Sequence, residues 1–368
     1  MIRKKARVIV GMSGGVDSSV TAFLLKQAGY EVIGLFMKNW EEDGYCPVRE
    51  DFLDAISVAD QIGIDFEWVN CSKEYQEQVF SGFLEEIRQG RTPNPDVQCN
   101  TAIKFDVFSE FAKKLDADFI ATGHYAALQK SYGKTWLMKA KDGNKDQTYF
   151  LARTTAQQLE SALFPLGNYL KSEVRAIARS AGLCTHAKKD STGICFVGER
   201  PFKNFLKHYI SEKPGPIMSV DGRVLGQHDG LMYYTIGQRK GLGIGGQGEP
   251  WFVAAKDMEK NILWVVQGRS NPALYSRSMI VADPVWITTE PLPYQSYAAK
   301  IRYRQAASLC WFEWLEKNRM LFHFNQPQWA ATPGQVLVLY DGNVCLGGAM
   351  IESTQVMQQP QEKIVENA

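Results

Sequence analysis

Two rhythms of apolar and polar residues divide the chain. Over the first 125 residues, short apolar runs at 8–10, 32–37, 66–69 and 119–121 alternate with stretches whose apolar residues recur every three or four positions. The recurring stretches are 20–27, the face Phe52, Ala55, Ile56 and Ala59, 75–88, and the set Phe108, Phe111, Ala112 and Leu115. Short continuous apolar runs predict strands buried on both faces, and a period of 3.6 predicts helices covering them. This alternation predicts an α/β fold with a parallel sheet, whose ligands bind beyond the carboxyl ends of the strands.

Past about residue 200 the helical period fades. Pro214-Gly215-Pro216, Asp221-Gly222, Gly237, Gly241, Gly243, Gly245, Gly246 and Gly248 break the chain into short segments. They predict a small glycine-rich β domain over 207–275. Alternating stretches at 301–304, 320–324 and 336–340, with Asp341-Gly342 as a hairpin turn, predict a β-barrel over 276–358. Residues 1–206 form the first domain in this division. Trp311, Phe312 and Trp314 are assigned to barrel packing, and Tyr132-Gly133-Lys134 to a hairpin turn. The polar last residues are expected to fray.

Composition narrows the class. The 368 residues are 45% hydrophobic and 22% charged, as in an ordinary globular protein. No run is long and apolar enough to span a bilayer, and Met1-Ile2-Arg3-Lys4-Lys5 opens no signal peptide, so a cytoplasmic location without membrane association is expected. With a net charge of +1, nucleic-acid binding would have to come from local basic patches. The seven cysteines include no C-x-x-C pair, which argues against a zinc ribbon, and most are expected to be small buried hydrophobes.

The chemistry begins where the first strand ends. Gly11-Met12-Ser13-Gly14-Gly15-Val16-Asp17-Ser18-Ser19 places a glycine pair and hydroxyls ahead of a helix, where free amides and the helix dipole attract anions. Val16-Asp17-Ser18 replaces the Lys-Ser/Thr pair of a Walker loop, and the G-x-G-x-x-G spacing is absent. The run resembles the PP-loop of ATP pyrophosphatases, which cleave ATP between its α and β phosphates. That resemblance implies an adenine nucleotide α-hydrolase-like domain that binds ATP through Gly11, Met12, Ser13, Gly14, Gly15, Val16, Asp17 and Ser18. Mg²⁺ would arrive with the ATP and find Asp17 within reach, with no separate protein metal site.

Two cysteines stand out by their surroundings. Cys99 lies in a loop over 90–100 that Pro93 and Pro95 keep out of helix, with a helical pattern starting near Lys104. Arg91 and Lys104 would favour its thiolate. Cys195 follows the basic, glycine-containing loop 188–194.

These stretches, with Phe36-Met37-Lys38-Asn39-Trp40, Ala121-Thr122-Gly123-His124-Tyr125, Asn144-Lys145-Asp146-Gln147, the segment 237–243 and Arg302-Tyr303-Arg304-Gln305, resemble the tRNA-specific 2-thiouridylases in order along nearly the whole chain. The resemblance implies adenylation of the C2 oxygen of a wobble uridine and its replacement by sulfur. Cys195 would carry a persulfide loaded by a sulfur-donor protein, a cysteine desulfurase or a relay carrier. Cys99 would be the nucleophile that releases the sulfur or closes a disulfide with Cys195. Met37 and Gly123 match positions lining the adenine side of the nucleotide pocket. Asn94, Pro95 and Asp96 match the segment on the target base, with Asp96 as acid or base, or as a cluster ligand beside the cysteines. Lacking a third nearby cysteine, the chain favours the persulfide route over an iron–sulfur cluster. His124, Lys145, Asp146, Gln147, Arg302, Tyr303 and Gln335 match positions near tRNA, where cations meet phosphates and a tyrosine stacks on an extruded base.

Two other readings compete. One is an ATP pyrophosphatase that amidates a small molecule, like GMP or NAD synthetases, which needs no cysteine pair. The other is an RNA-binding protein with a degenerate loop, against which the intact 13–18 run speaks.

Overall fold

The computed structural model describes residues 5–41, 49–190, 193, 194, 197 and 200–356. Cys46, Cys195 and the tail from 357 lie outside the described residues. The four expected strands form, as β1 (Arg7–Gly11), β2 (Glu31–Lys38), β3 (Asp65–Asn70) and β4 (Phe119–Ala121). They pair in parallel in the order β3-β2-β1-β4, and a two-residue strand, Ala162–Leu163, extends the sheet beyond β4. That strand is too short to carry any periodicity.

Val8, Ile9 and Val10 of β1 are fully buried, because helices cover both faces. α1 (Val16–Gln27) and α2 (Arg49–Ile62) supply part of that cover. The chain runs from β1 to β2 and β3 on one side and places β4 on the other. β1 and β4 therefore flank the point where the winding reverses, the place where open α/β sheets bind ligands.

The segment around Cys99 departs from expectation. The helix starts at Pro95, not near Lys104, and Cys99 lies inside it. Asn94 is the N-cap, its side chain accepting from the Val97 amide. Pro95 occupies the first helical position, where a missing N–H costs nothing. A nine-residue π-helical run, Cys99–Val107, follows, and α-helix resumes over Phe108–Lys114.

The glycine-rich region builds a four-stranded sheet from Gly215–Ser219, Val224–His228, Trp251–Asp257 and Ile262–Gln267. Beyond it, six strands from Tyr275–Trp286 to Val344–Val356 close into a barrel, the last pairing with the first. The stretch 301–304 is not one of them. Strand Tyr297–Lys300 stops short of it and the chain turns over 301–305. Phe312 is buried in the barrel and meets Trp314 edge-on, whereas Trp311 stacks on His323 at 4.0 Å on the other face of its strand.

The hairpin expected around Gly133 forms between β5 (Ala126–Ser131) and β6 (Lys134–Lys139). It pairs with the barrel, Leu137 opposite Cys345 and Met138 opposite Val344. One apolar cluster therefore joins Ile9 and Phe105 of the first domain to Val336, Val338 and Tyr340 of the barrel, with Leu137 between them. We expect Leu137→Ala to cost about 2–5 kcal/mol of stability, as truncation of a fully buried leucine does. Urea unfolding followed by tryptophan fluorescence would measure it.

Candidate active site

The glycine loop is held open by backbone contacts. Gly14 has φ +71°, and a Cβ there would lie 2.2 Å from the carbonyl oxygen of Asp51 on α2. Gly123, just after β4, lies as close to α1: a Cβ would come within 2.9 Å of the Ser18 nitrogen. Ser18 braces the loop from inside, its hydroxyl accepting from the Ser13 amide at 3.1 Å and donating to the Gly15 carbonyl at 3.0 Å. Gly15 caps α1 with no side-chain hydrogen bond, so the first-turn amides are left for an anion. Met12 and Val16 are buried beneath the loop, and Gly11 ends β1 against the Phe108 ring. Met37 is half-buried near the end of β2, packed against both the cluster that holds Ile9 and the cluster that holds Cys99.

Asp17 is the hub of a charge cluster. Lys171, the first residue of the helix Lys171–Ser180, sets its ammonium 2.7 Å from both Asp17 carboxylate oxygens. The Tyr125 hydroxyl donates to the same carboxylate at 2.8 Å. Lys171 also reaches Asp190 at 2.8 Å, and Asp190 takes Lys145 at 2.6 Å and Arg175 at 2.8 Å. Burial works to raise the Asp190 carboxyl, but the hydrogen bonds from Lys145 and Lys171 win and bring it down to about 2. Among the described residues no group of three or more His, Cys, Asp or Glu side chains is placed to hold a metal ion by itself.

Cys99 is buried in a second cluster, built beyond the ends of β2 and β3 from Trp40, Cys71, Tyr75, Phe80, Ile103 and Phe205. Val197 belongs to this cluster and Ile194 packs against it, so the described residues on either side of Cys195 share the Cys99 environment. Cys195 itself lies outside the described residues. Burial raises the Asp96 carboxyl above its usual value, against the pull of Lys104, which suits a group that exchanges a proton. Arg91 is paired with Glu86 at 3.1 Å. Burial pushes the Cys71 and Cys310 thiols up to about 12 and the Cys345 thiol further. Cys184 is exposed, unlike the buried cysteine expected of most positions.

The residues expected near tRNA divide by setting. Lys145 is part-exposed on the charge cluster. Asp146 is buried, accepting from Thr148 and lying 3.6 Å from Lys300 of the barrel. Gln147 exchanges hydrogen bonds with the Tyr125 backbone. His124 is buried between Phe105 and Phe164, 2.7 Å from the Thr122 hydroxyl, and desolvation holds its pKa well below the ordinary value, so the ring is neutral. Arg302 donates to Ala330, Thr332 and, at 3.3 Å, to Ile236 of the central domain. Tyr303 packs on Phe150 at 4.4 Å beside a polar cleft of about 340 Å³ lined by Asn144, Lys300, Arg304 and Gln305. Gln335 donates to the Thr92 carbonyl at 2.7 Å, and the Thr92 amide donates to Pro333, which anchors the strand of chain leading to Asn94, Pro95 and Asp96.

Comparison with known proteins finds three family matches in succession along the chain. Residues 6–199 match the family described as tRNA methyl transferase HUP domain, 203–267 its PRC-barrel domain, and 276–351 the aminomethyltransferase beta-barrel domain. A tRNA-specific 2-thiouridylase MnmA of Methylobacillus flagellatus is 57% identical over 357 residues, which is 95% of this chain and 99% of the relative. The chain belongs to the tRNA-specific 2-thiouridylase family. The protein of that name from Nitrosomonas eutropha is also 57% identical, over 94% of this chain and 98% of its own. That from Alkaliphilus oremlandii is 56% identical, over 95% and 98%.

Sequence reasoning missed Lys171, Arg175 and the part played by Tyr125 and Asp190. Tyr125 and Asp190 stand inside the 121–125 and 188–194 segments. Lys171 carries no local signal, since its partner is 154 positions away. A carboxyl whose pKa falls from 3.8 unfolded to about 2 folded stabilises the fold above about pH 4 and loses that contribution as pH falls towards 2. The melting-temperature gap between the wild type and Asp190→Asn should therefore hold steady above pH 5 and shrink between pH 4 and 2. Thermal melts across that range would check it.

Proposed function

We propose that this chain is a tRNA-uridine 2-sulfurtransferase. It would use ATP to activate the C2 oxygen of a wobble uridine and replace that oxygen with persulfide sulfur, releasing AMP and pyrophosphate. The observation that carries the reading is the pairing of two settings beyond the carboxyl ends of the parallel strands. An anion-binding glycine loop ends β1, and a buried Cys99 shares its cluster with Ile194 and Val197. Family membership over nearly the full chain supports it.

In this reading the amides from Gly14 to Ser18 and the Ser13 hydroxyl hold the phosphates, with Met37 and Gly123 towards the adenine. Mg²⁺ bound with ATP would neutralise charge on the phosphates, and Asp17 is the carboxylate placed to meet it. Asn94, Pro95 and Asp96 receive the extruded base, Asp96 exchanging a proton with it. The uridine oxygen attacks the α-phosphorus and pyrophosphate leaves. Sulfur then attacks C2 and AMP departs with the oxygen. The sulfur comes from a persulfide on Cys195, and Cys99 supplies the electron pair that breaks the S–S bond. Because that pair comes from Cys99 bonding to the Cys195 sulfur, the step leaves a Cys99–Cys195 disulfide, which an external thiol must reduce before the next turnover.

A sulfur-donor protein is the required partner, and the cytoplasm, which holds tRNA and ATP, is the expected location. No helix among the described residues is long and apolar enough to cross a membrane. Lys145, Arg302, Tyr303 and Gln335, with His124, Asp146 and Gln147 behind them, form or support the tRNA surface. The division 1–206, 207–275 and 276–358 assigns catalysis to the first unit and tRNA contact to the last.

The test is incubation with an unmodified tRNA transcript, Mg²⁺-ATP and a persulfide donor, with mass spectrometry of the nucleosides. We expect 2-thiouridine with the wild type, and a rate at least about 100-fold lower with Cys99→Ala or Cys195→Ala, as loss of a nucleophile costs. A Cys99→Ala protein thiolating at the wild-type rate would refute the two-cysteine scheme.

A further inference from the structure

The charge cluster behind the glycine loop links two ligand sites through shared cations. Lys171 has one ammonium and two carboxylate partners: both Asp17 oxygens at 2.7 Å and Asp190 at 2.8 Å. Asp190 in turn divides itself among Lys171, Lys145 and Arg175. The Lys171 side chain is 12% exposed, so water screens it poorly and each partner's hold on it affects the other. Its backbone is fixed as well. The Lys171 amide donates to Asp142 at 2.9 Å, and the Lys145 amide donates to the Asp142 carbonyl, so one turn of chain aligns both lysines. Lys145, with a side chain 37% exposed, is the member of the set open to an incoming phosphate.

We propose that Asp17, Lys171, Asp190 and Lys145 form an electrostatic relay that makes tRNA and Mg²⁺-ATP bind cooperatively. The inference rests on the function proposed above and adds to it a route of coupling, with Lys171 and Asp190 as positioning residues. A tRNA phosphate that draws Lys145 away leaves Asp190 short of one cation. Asp190 then pulls harder on Lys171, and Asp17 is released for the cation that accompanies ATP. In the other direction, a divalent cation on Asp17 frees Lys171 for Asp190, and Asp190 lets Lys145 go to the phosphate. Linkage requires both directions to have the same magnitude.

Binding of an unmodified tRNA transcript is measured by filter retention at fixed salt, with and without Mg²⁺ and saturating α,β-methylene ATP, a nucleotide that cannot be cleaved. The nucleotide's own affinity is measured by calorimetry with and without tRNA. In the wild type each ligand tightens the other by the same factor, about 5-fold or more. In Asp190→Asn the factor falls to near 1 while each ligand still binds alone. Lys171→Met interrupts the relay at its other joint and gives the same loss should Asp190→Asn fail to fold, whereas Lys171→Arg, still able to bridge two carboxylates, keeps the factor above 1. A wild-type factor of 1 with both ligands binding overturns the relay and leaves the proposed function standing. A wild-type factor preserved in folded Asp190→Asn or Lys171→Met also overturns it. Failure of the wild type to bind either ligand alone removes the proposed function and the relay together.

Discussion

The site depends first on backbone approaching backbone where side chains would keep it apart. Gly14 meets the Asp51 carbonyl from α2, and Gly123 meets the first turn of α1 from the end of β4. Both contacts are closer than any Cβ permits, and Gly14 also needs the left-handed φ that glycine adopts without strain. Together they fix α1 so that its amino end faces the crevice beside β1, and Asp17 is carried to Lys171 and Tyr125. Lys188 anchors the far side by pairing with Asp51 and Asp54. An anion site made of amides is only as good as the rigidity of the helix that presents them, and here that rigidity comes from three elements converging on one turn.

A second constraint governs the base-facing loop. Thr92 is gripped from the barrel by Pro333 and Gln335, and its hydroxyl lies 3.3 Å from Thr235 of the central domain. Two residues later Asn94 starts the helix that carries Asp96 and Cys99. Arg302 ties the same two later domains together through Ile236, Ala330 and Thr332. Residues matched to tRNA contact are thus also the struts that hold the three units around the site. The pairing of β6 with the barrel's last strand does likewise by main-chain hydrogen bonds. Movement of the barrel on a bound nucleic acid would be felt directly at the loop that leads into the helix carrying Cys99.

Much of this was legible in the sequence because the signals were local. The four parallel strands β1 to β4, their covering helices and the glycine loop follow from periodicity and from residue types at fixed spacing. The early helix start at Pro95 was misread because two prolines within three positions look like a loop, although proline is well tolerated at the first position of a helix that Asn94 caps. The stretch 301–304 alternates like a strand, yet Arg302 turns inward to backbone acceptors and its chain bends with it. A two-residue strand leaves no pattern. The hairpin around Gly133 was visible as a turn, but that it joins a barrel formed two hundred residues later was not. The missing lysine of the Walker pattern is the clearest case. The loop's cation exists, but it comes from Lys171, on another helix, so no motif contains it.

The cluster around that lysine holds three cations, Lys171, Lys145 and Arg175, paired directly with two carboxylates, Asp17 and Asp190. Asp142, whose oxygens accept from the amides of Asn144 and Lys171, adds a third carboxylate beside them and balances the charge. Two opposite charges 4 Å apart interact by about 4 kcal/mol at the effective dielectric typical of a protein surface, so a phosphate reaching these cations competes on equal terms with the carboxylates that hold them. The same arrangement explains why the carboxylates are needed. Without them three cations would repel one another in a part-buried space, and the helix that carries Lys171 and Arg175 would be pushed off the sheet. Asp17 and Asp190 keep the cations together while no anion is present, and an arriving anion finds them already positioned.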